Sequence, residues 1–206
     1  MSDPIRIVIA DDQALVRGAL ASLLSLESDI EVVGQVGRGD EVLDLVTSTE
    51  ASVAMLDVEM PGLDGLAVAR QLRDSGLACR SLIVTTFGRP GYLRRALESG
   101  ASGFVVKDTP AHQLADAVRR VQAGLRVIDP LLATESLICG SSPLSARETD
   151  VLLALRSEGS ISDVAKLLHL SEGTVRNHLS SAIGKTRARN GGEAVRIAAD
   201  NGWLIA

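Results

Sequence analysis

The sequence predicts two domains, a five-stranded parallel α/β sheet doubly wound by helices and a smaller all-α domain after it. Three observations carry that reading. Short apolar runs alternate with amphipathic segments along the first 123 residues. Those runs are apolar at nearly every position, the pattern of strands whose sheet is covered on both faces. Strand signals then stop, and from about Leu144 only helical periodicity remains.

Taken in order, the strand candidates are Ile5 to Ala10, Glu31 to Val36, Val53 to Asp57, Ser81 to Thr86 and Ser102 to Val106. Between and after them, apolar residues at helical spacing predict helices over Gln13 to Leu26, Asp40 to Ser48, Leu63 to Ser75, Gly91 to Ser99 and Ala111 to Ala123. Strand and helix in strict alternation imply a parallel sheet with helices on both faces. Beyond Gly124 the pattern loosens through Asp129-Pro130 and Gly140-Ser141-Ser142-Pro143, so residues 124–142 read as a linker between a domain at 1–123 and another at 143–206. In the second domain helices are expected near Ala146 to Ser157, Ser162 to Leu168, Glu172 to Lys185 and Gly192 to Asn201. Ser145 followed three residues later by Glu148 is a capping box that starts the first of these.

With 206 residues and 46% hydrophobic composition, the chain can bury a sizeable core. Its apolar runs, such as Leu82 to Val84, fall far short of the roughly 18 residues a membrane span needs. Met1-Ser2-Asp3-Pro4 carries no basic region leading into an apolar one, so no export signal is read and the cytoplasm is the expected location. Cys79 and Cys139 stand without Cys or His at metal spacing, which disfavours zinc or a disulfide framework. The net charge of -5 argues against a basic coat over the whole surface. Between Glu172 and Glu193, however, no acid occurs while Arg176, Lys185, Arg187 and Arg189 do, so any polyanion contact centres there.

In a doubly wound sheet the ligand site lies outside the carboxyl ends of the strands, at a topological switch point. Asp11, Asp12, Asp57 and Thr85 all fall at expected strand ends, and Lys107 ends the fifth. A few carboxylates suit a hard divalent cation such as Mg2+, which prefers oxygen ligands and keeps several waters. A carboxylate fixed by a buried strand yet reachable from the next loop can also act as a nucleophile, and Asp57 is so placed. An ammonium at Lys107 and a hydroxyl at Thr85 could then bind the oxygens of a phosphoryl group. Each residue has a plainer reading alone: Asp11 and Asp12 as helix-capping acids, Lys107 as a solvated lysine, Thr85 as a residue of good β propensity, Phe104 as core. Their register on neighbouring strands favours one shared site.

Ile161 to Leu179 spell two short helices joined by a tight turn, with Ser171 capping the second. That is the pattern of a helix-turn-helix. Val175, Leu179 and Ile183, at spacing four, should face the core and leave Thr174, Arg176, Asn177 and Ser180 outward, with Lys185 further along. Arginine pairs bidentately with guanine and asparagine with adenine, so Arg176 and Asn177 are reasonable base readers; a solvated helix face is the plain alternative. His169 and His178 lack partners for a metal site.

Together these motifs resemble the two-component response regulators of the NarL/FixJ type, with a CheY-like receiver of flavodoxin-like fold and a LuxR-type helix-turn-helix domain. The resemblance spans nearly the whole chain and rests on Asp11-Asp12, Asp57 with Met60-Pro61-Gly62 and Asp64-Gly65, Thr85, Phe104 and Lys107. It implies that Asp57 accepts a phosphoryl group from a sensor histidine kinase. It also implies Mg2+ on Asp12, Asp57 and the main-chain carbonyl of Glu59, with Asp11 acting through water. Thr85 and Phe104 would be coupled switch residues, Lys107 would bind the phosphoryl group, and phosphorylation would promote homodimerisation on promoter DNA. Thr86 stands where receivers often have alanine, leaving the lifetime of the phosphorylated state open. Gly191-Gly192 is expected to weaken the start of the last helix. Thr85 to Tyr92 resembles a subgroup that includes regulators of membrane-lipid desaturation. Two other readings compete: a phosphorylation-independent DNA-binding regulator whose receiver is structural, and a Mg2+-dependent phosphohydrolase in which Glu59 serves as acid/base.

Overall fold

The structure is a computed structural model that describes residues 3–86, 90–128, 133–134 and 142–204. The chain divides into two compact units, one formed mainly by residues up to Thr134 and the other by the chain after it. In the first unit, β1 (Ile5–Ala10), α1 (Ala14–Leu24), β2 (Ile30–Val36), α2 (Val42–Thr49), β3 (Val53–Leu56), α3 (Gly65–Ser75), β4 (Arg80–Thr85), α4 (Pro90–Glu98), β5 (Gly103–Val106) and α5 (Ala111–Gln122) follow the expected alternation. A 3-10 turn, Gly39–Glu41, leads into α2.

Among the described residues the sheet has six strands, not the five expected, in the order β2-β1-β3-β4-β5-β6 with every pairing parallel. The sixth, β6 (Val127–Ile128), comes from the segment read as linker and sets Val127 opposite Gly103 and Ile128 opposite Phe104. Two residues cannot display a periodicity, and only the free edge of β5 makes them a strand.

The central strands are buried because helices cover both faces. All of β3 and the last four residues of β1 are buried. Ile7, Ile9, Met55 and Leu82 pack on one face against Leu114 and Val118 of α5. The intervening residues Val8, Ala54, Leu56 and Ile83, fully excluded from water, point to the other. The chain leaves β1 toward β2 on one side and returns to β3 on the other, so the switch point lies between the carboxyl ends of β1 and β3.

The second unit comprises α6 (Ala146–Glu158), α7 (Ile161–Leu167), α8 (Glu172–Thr186) and α9 (Gly191–Asp200). Each helix starts on a side-chain cap: Ser145 accepts from Glu148 N, Ser160 from Asp163 N, Ser171 from Thr174 N and Asn190 from Glu193 N. Val151, Val164 and Val175 form one part of the core, and Leu152, Ala182 and Ala198 another. Leu179 packs against both parts and Ile183 against the second, as their spacing predicts.

The expected weakness at Gly191-Gly192 is offset. Asn190 caps α9, and the Glu193 carboxylate reaches back to Arg189 N at 2.7 Å. A Cβ on Gly191 would lie 3.1 Å from Leu155 and 3.3 Å from Leu179, so its bareness lets α9 close on α6 and α8. The turn between α7 and α8 passes through His169 at φ 54°, a left-handed position usually given to glycine. Among the described residues no helix is long and apolar enough to cross a membrane.

Candidate functional site

Asp57 follows β3, and its main-chain N–H donates to Ala10 O at 2.8 Å, which fixes Asp57 beside the end of β1. One carboxylate oxygen, Oδ1, accepts from Val58 N at 2.8 Å. The other, Oδ2, lies 3.0 Å from Lys107 Nζ, and Asp11 Oδ2 lies 2.7 Å from the same nitrogen. Lys107 is held at the end of β5 by its N–H bond to Thr85 O at 2.7 Å. Its Nζ meets the two acids as an ion pair on each side rather than through well-directed hydrogen bonds.

Asp11 and Asp57 are buried, at 1% and 6% exposure, whereas Asp12 is exposed. All three offer a carboxylate oxygen within 4.8 Å of one another. Neither Asp11 nor Asp12 caps α1, whose N-cap is Gln13 without a side-chain bond. Instead Asp11 Oδ1 accepts from Gln13 N at 2.9 Å and turns the chain at the strand end. Burial raises the Asp57 pKa, with the Lys107 ammonium opposing that rise and the Asp11 charge adding to it. Burial lowers the Lys107 pKa, but Asp11 and Asp57 outweigh it and leave the ammonium stabilised. Three carboxylates share one ammonium, so the cluster keeps a net negative charge that suits a cation.

Above these groups lies a cleft of about 460 Å³ lined by Asp12, Gln13, Asp57, Glu59, Thr85 and Thr86. Thr85 is buried at the end of β4 and faces this cleft. Phe104 is wholly buried in β5 beside Ile83. The structure therefore gathers Asp11, Asp12, Asp57, Glu59, Thr85 and Lys107 at the switch point.

In the second unit Arg176, Asn177 and Ser180 are exposed on α8, and Val175 beside them is buried. Thr174 is half-buried, with its hydroxyl 2.8 Å from that of Ser171. Arg176 leans on Glu172 Oε2 at 2.8 Å. Lys185 is engaged elsewhere: its Nζ lies 2.7 Å from Oε2 of the buried Glu148.

A family model of the response regulator receiver domain matches residues 7–119, and one of the bacterial regulatory proteins of the luxR family matches residues 142–198. The chain is a response regulator. Bacillus subtilis relatives agree: the transcriptional regulatory protein DesR is 41% identical over 97% of this chain and 99% of its own length. The uncharacterized transcriptional regulatory protein YvfU is 42% identical over 97% of this chain and all of its own. Among solved structures, the response regulator ChrA of a heme-sensing two-component system shares 32% identity and a TM-score of 0.60, over 99% of this chain and all of that one. The response regulator thus joins a receiver domain to a LuxR-type DNA-binding domain.

Several residues of the regulator's two sites were not visible as such in the sequence. Arg17 of α1 donates to the Asp11 carbonyl and braces the acidic turn. Tyr92 of α4, the chain's one tyrosine, donates to Glu59 Oε1 at 3.3 Å. Its rarity was the only signal. Ser181 Oγ donates to Glu148 Oε1 at 2.6 Å, beside Lys185, so α8 is tied to α6 by one carboxylate. Of the segment Thr85 to Tyr92 that carries the subgroup resemblance, Phe87 to Arg89 lie outside the described residues.

Proposed function

We propose that this regulator is a phosphorylation-gated transcription factor in which Asp57 accepts the phosphoryl group of a sensor histidine kinase. The single observation that carries the reading is the buried Asp57 carboxylate, in contact with Lys107 and within reach of Asp11 and Asp12, at the switch point of the sheet. A carboxylate oxygen of Asp57 attacks phosphorus, and the bond from phosphorus to the donor nitrogen breaks, its electron pair leaving with the donor. Lys107 releases part of its pairing with Asp57 to meet a phosphoryl oxygen, and the Thr85 hydroxyl donates to another. Drawing Thr85 inward alters the packing around Phe104 and shifts a pre-existing equilibrium toward a homodimer that binds promoter DNA.

The donor set fits Mg2+: oxygen ligands only, from Asp12, Asp57 and the Glu59 carbonyl, with Asp11 through water, and a net negative charge left to neutralise. Bound there, Mg2+ would supply charge neutralisation for the incoming phosphoryl oxygens. In the effector domain, Arg176 and Asn177 are proposed as base readers and Thr174 and Ser180 as flanking contacts. Lys185, tied to Glu148, is left a secondary contact. The receiver is proposed to run through β6, with the linker after it and the DNA-binding domain from residue 143.

The test is phosphoryl uptake from acetyl phosphate with Mg2+, followed by promoter binding, in wild type and Asp57→Ala. Uptake and enhanced binding should both vanish in the variant. Equal labelling would remove Asp57 as acceptor, and DNA binding indifferent to both phosphorylation and substitution would favour the phosphorylation-independent regulator.

A further inference from the structure

The loop from Asp57 to Asp64 supplies the acceptor, Glu59 and the cap of α3, and its position decides whether those oxygens converge. Its ends are pinned by Asp57 N to Ala10 O at 2.8 Å and Gly65 N to Val58 O at 3.0 Å. Its middle is pinned from outside by the turn that follows β2, where Gly39 N donates to Pro61 O at 3.0 Å. At that point the two backbones touch. A Cβ on Gly39 would fall 1.9 Å from Leu63 O and 2.8 Å from Leu63 C, both main-chain atoms that cannot rotate aside. The φ of Gly39 lies outside the left-handed region, so only its neighbour forbids a side chain there. Two further contacts close the same seat. Gly62, at φ +80°, lies under the Asp40 carboxylate, itself held by a two-point pair with Arg38 at 2.9 and 3.1 Å. Gly65 lies against the Asp57 carbonyl, 2.0 Å from where its own Cβ would be.

We infer that Gly39 is a positioning residue for the acidic pocket: its bare Cα sets the height of the 57–64 loop over the strand ends, and so the convergence of Asp57 and the Glu59 carbonyl on a divalent cation. This rests on the reading of the pocket as a Mg2+-assisted phosphoacceptor site. A methyl at Gly39 must push the Leu63 carbonyl away by about 1 Å, a misplacement of the size that costs catalytic sites on the order of a hundredfold. Mg2+ tolerates such a shift poorly because it requires near-octahedral ligands at about 2.0–2.1 Å.

The experiment compares wild type, Gly39→Ala, Asp57→Ala and Gly18→Ala as full chains. Gly18 in α1 has open space where a Cβ would stand, with nothing within 4 Å of it, and serves as the control glycine. Calorimetric titration with Mg2+ alone gives the dissociation constant, and the rate of uptake from acetyl phosphate is followed against Mg2+ concentration. Gly39→Ala should weaken Mg2+ binding on the order of tenfold or more and move half-saturation of the rate by the same factor, with the rate at saturating Mg2+ falling less. Gly18→Ala should match wild type. A loss of stability alone would lower the plateau and leave half-saturation where it was, and that result overturns the inference. A Gly39→Ala chain that does not fold, or one with wild-type Mg2+ affinity, overturns it as well. If wild type itself binds no Mg2+, or Asp57→Ala labels normally, the underlying reading of the pocket fails instead.

Discussion

Removing the Glu148 carboxylate should cost the DNA-binding domain a large share of its stability. Glu148 is 4% exposed and accepts from Ser145 N at 2.6 Å, from Ser181 Oγ at 2.6 Å and from Lys185 Nζ at 2.7 Å. Although burial alone would raise its pKa, these donors outweigh it and hold the carboxyl at about 2. Held that far below the ordinary value of 4.5, the ionised carboxyl stabilises the fold by about 3 kcal/mol more than the protonated one would. A domain of this size is stable by only about 3–9 kcal/mol in total. Glu148→Ala should therefore lower the unfolding free energy at pH 7 by about 3 kcal/mol, with Glu148→Gln losing less because Ser181 keeps an acceptor. Trp203 is the chain's one tryptophan and packs on the core cluster that includes Leu152 and Ala182, so its fluorescence in urea reports this domain alone. The folded pKa is depressed, so the contribution is complete above about 4.5 and fades as pH falls toward about 2. The gap between wild type and Glu148→Ala should accordingly shrink by about 1 kcal/mol between pH 7 and pH 4. A gap below about 1 kcal/mol at pH 7, or one that does not change with pH, would refute the assignment.

Two further outcomes follow from the same domain. Arg176→Ala should weaken binding to the specific promoter by about 10–100-fold and relax preference at one base position, as read by competition binding at fixed salt; uniform weakening across sequences would make Arg176 a phosphate contact. His169→Gly should stabilise the domain by about 0.5–1 kcal/mol, since glycine adopts the left-handed turn without the cost of a side chain, and an unchanged or lower urea midpoint would count against that turn.

The sheet and the pocket were readable because the same residues serve both. Strands buried on two faces must be apolar throughout, so Val53 to Leu56 announced itself, and the first acid after it had to sit at the strand end. What escaped were contacts between residues far apart in sequence with no periodicity of their own. Val127-Ile128 becomes a strand only beside β5. Lys185 looks like a free cation until Glu148, in another helix, is brought against it. Gly39 reads as a loop glycine because the Leu63 carbonyl that demands it belongs to a different turn. Asp11 and Asp12 had two readings, and the absence of any side-chain cap on α1 decides against the capping one.

The four side-chain caps of the second domain also bear on how the chain comes to be folded. Each cap joins residues three apart, and the helices they start are connected by turns of a few residues, so most of that domain's order is specified locally. The receiver is the opposite case, since every one of its strand pairings is parallel and must wait for a crossover to close. Local topologies fold orders of magnitude faster than those built on distant pairings. During synthesis the receiver is made before the DNA-binding domain, so its parallel sheet has the time taken to translate the later residues in which to form. The domain order therefore gives the slower-folding receiver a head start over the faster-folding DNA-binding domain.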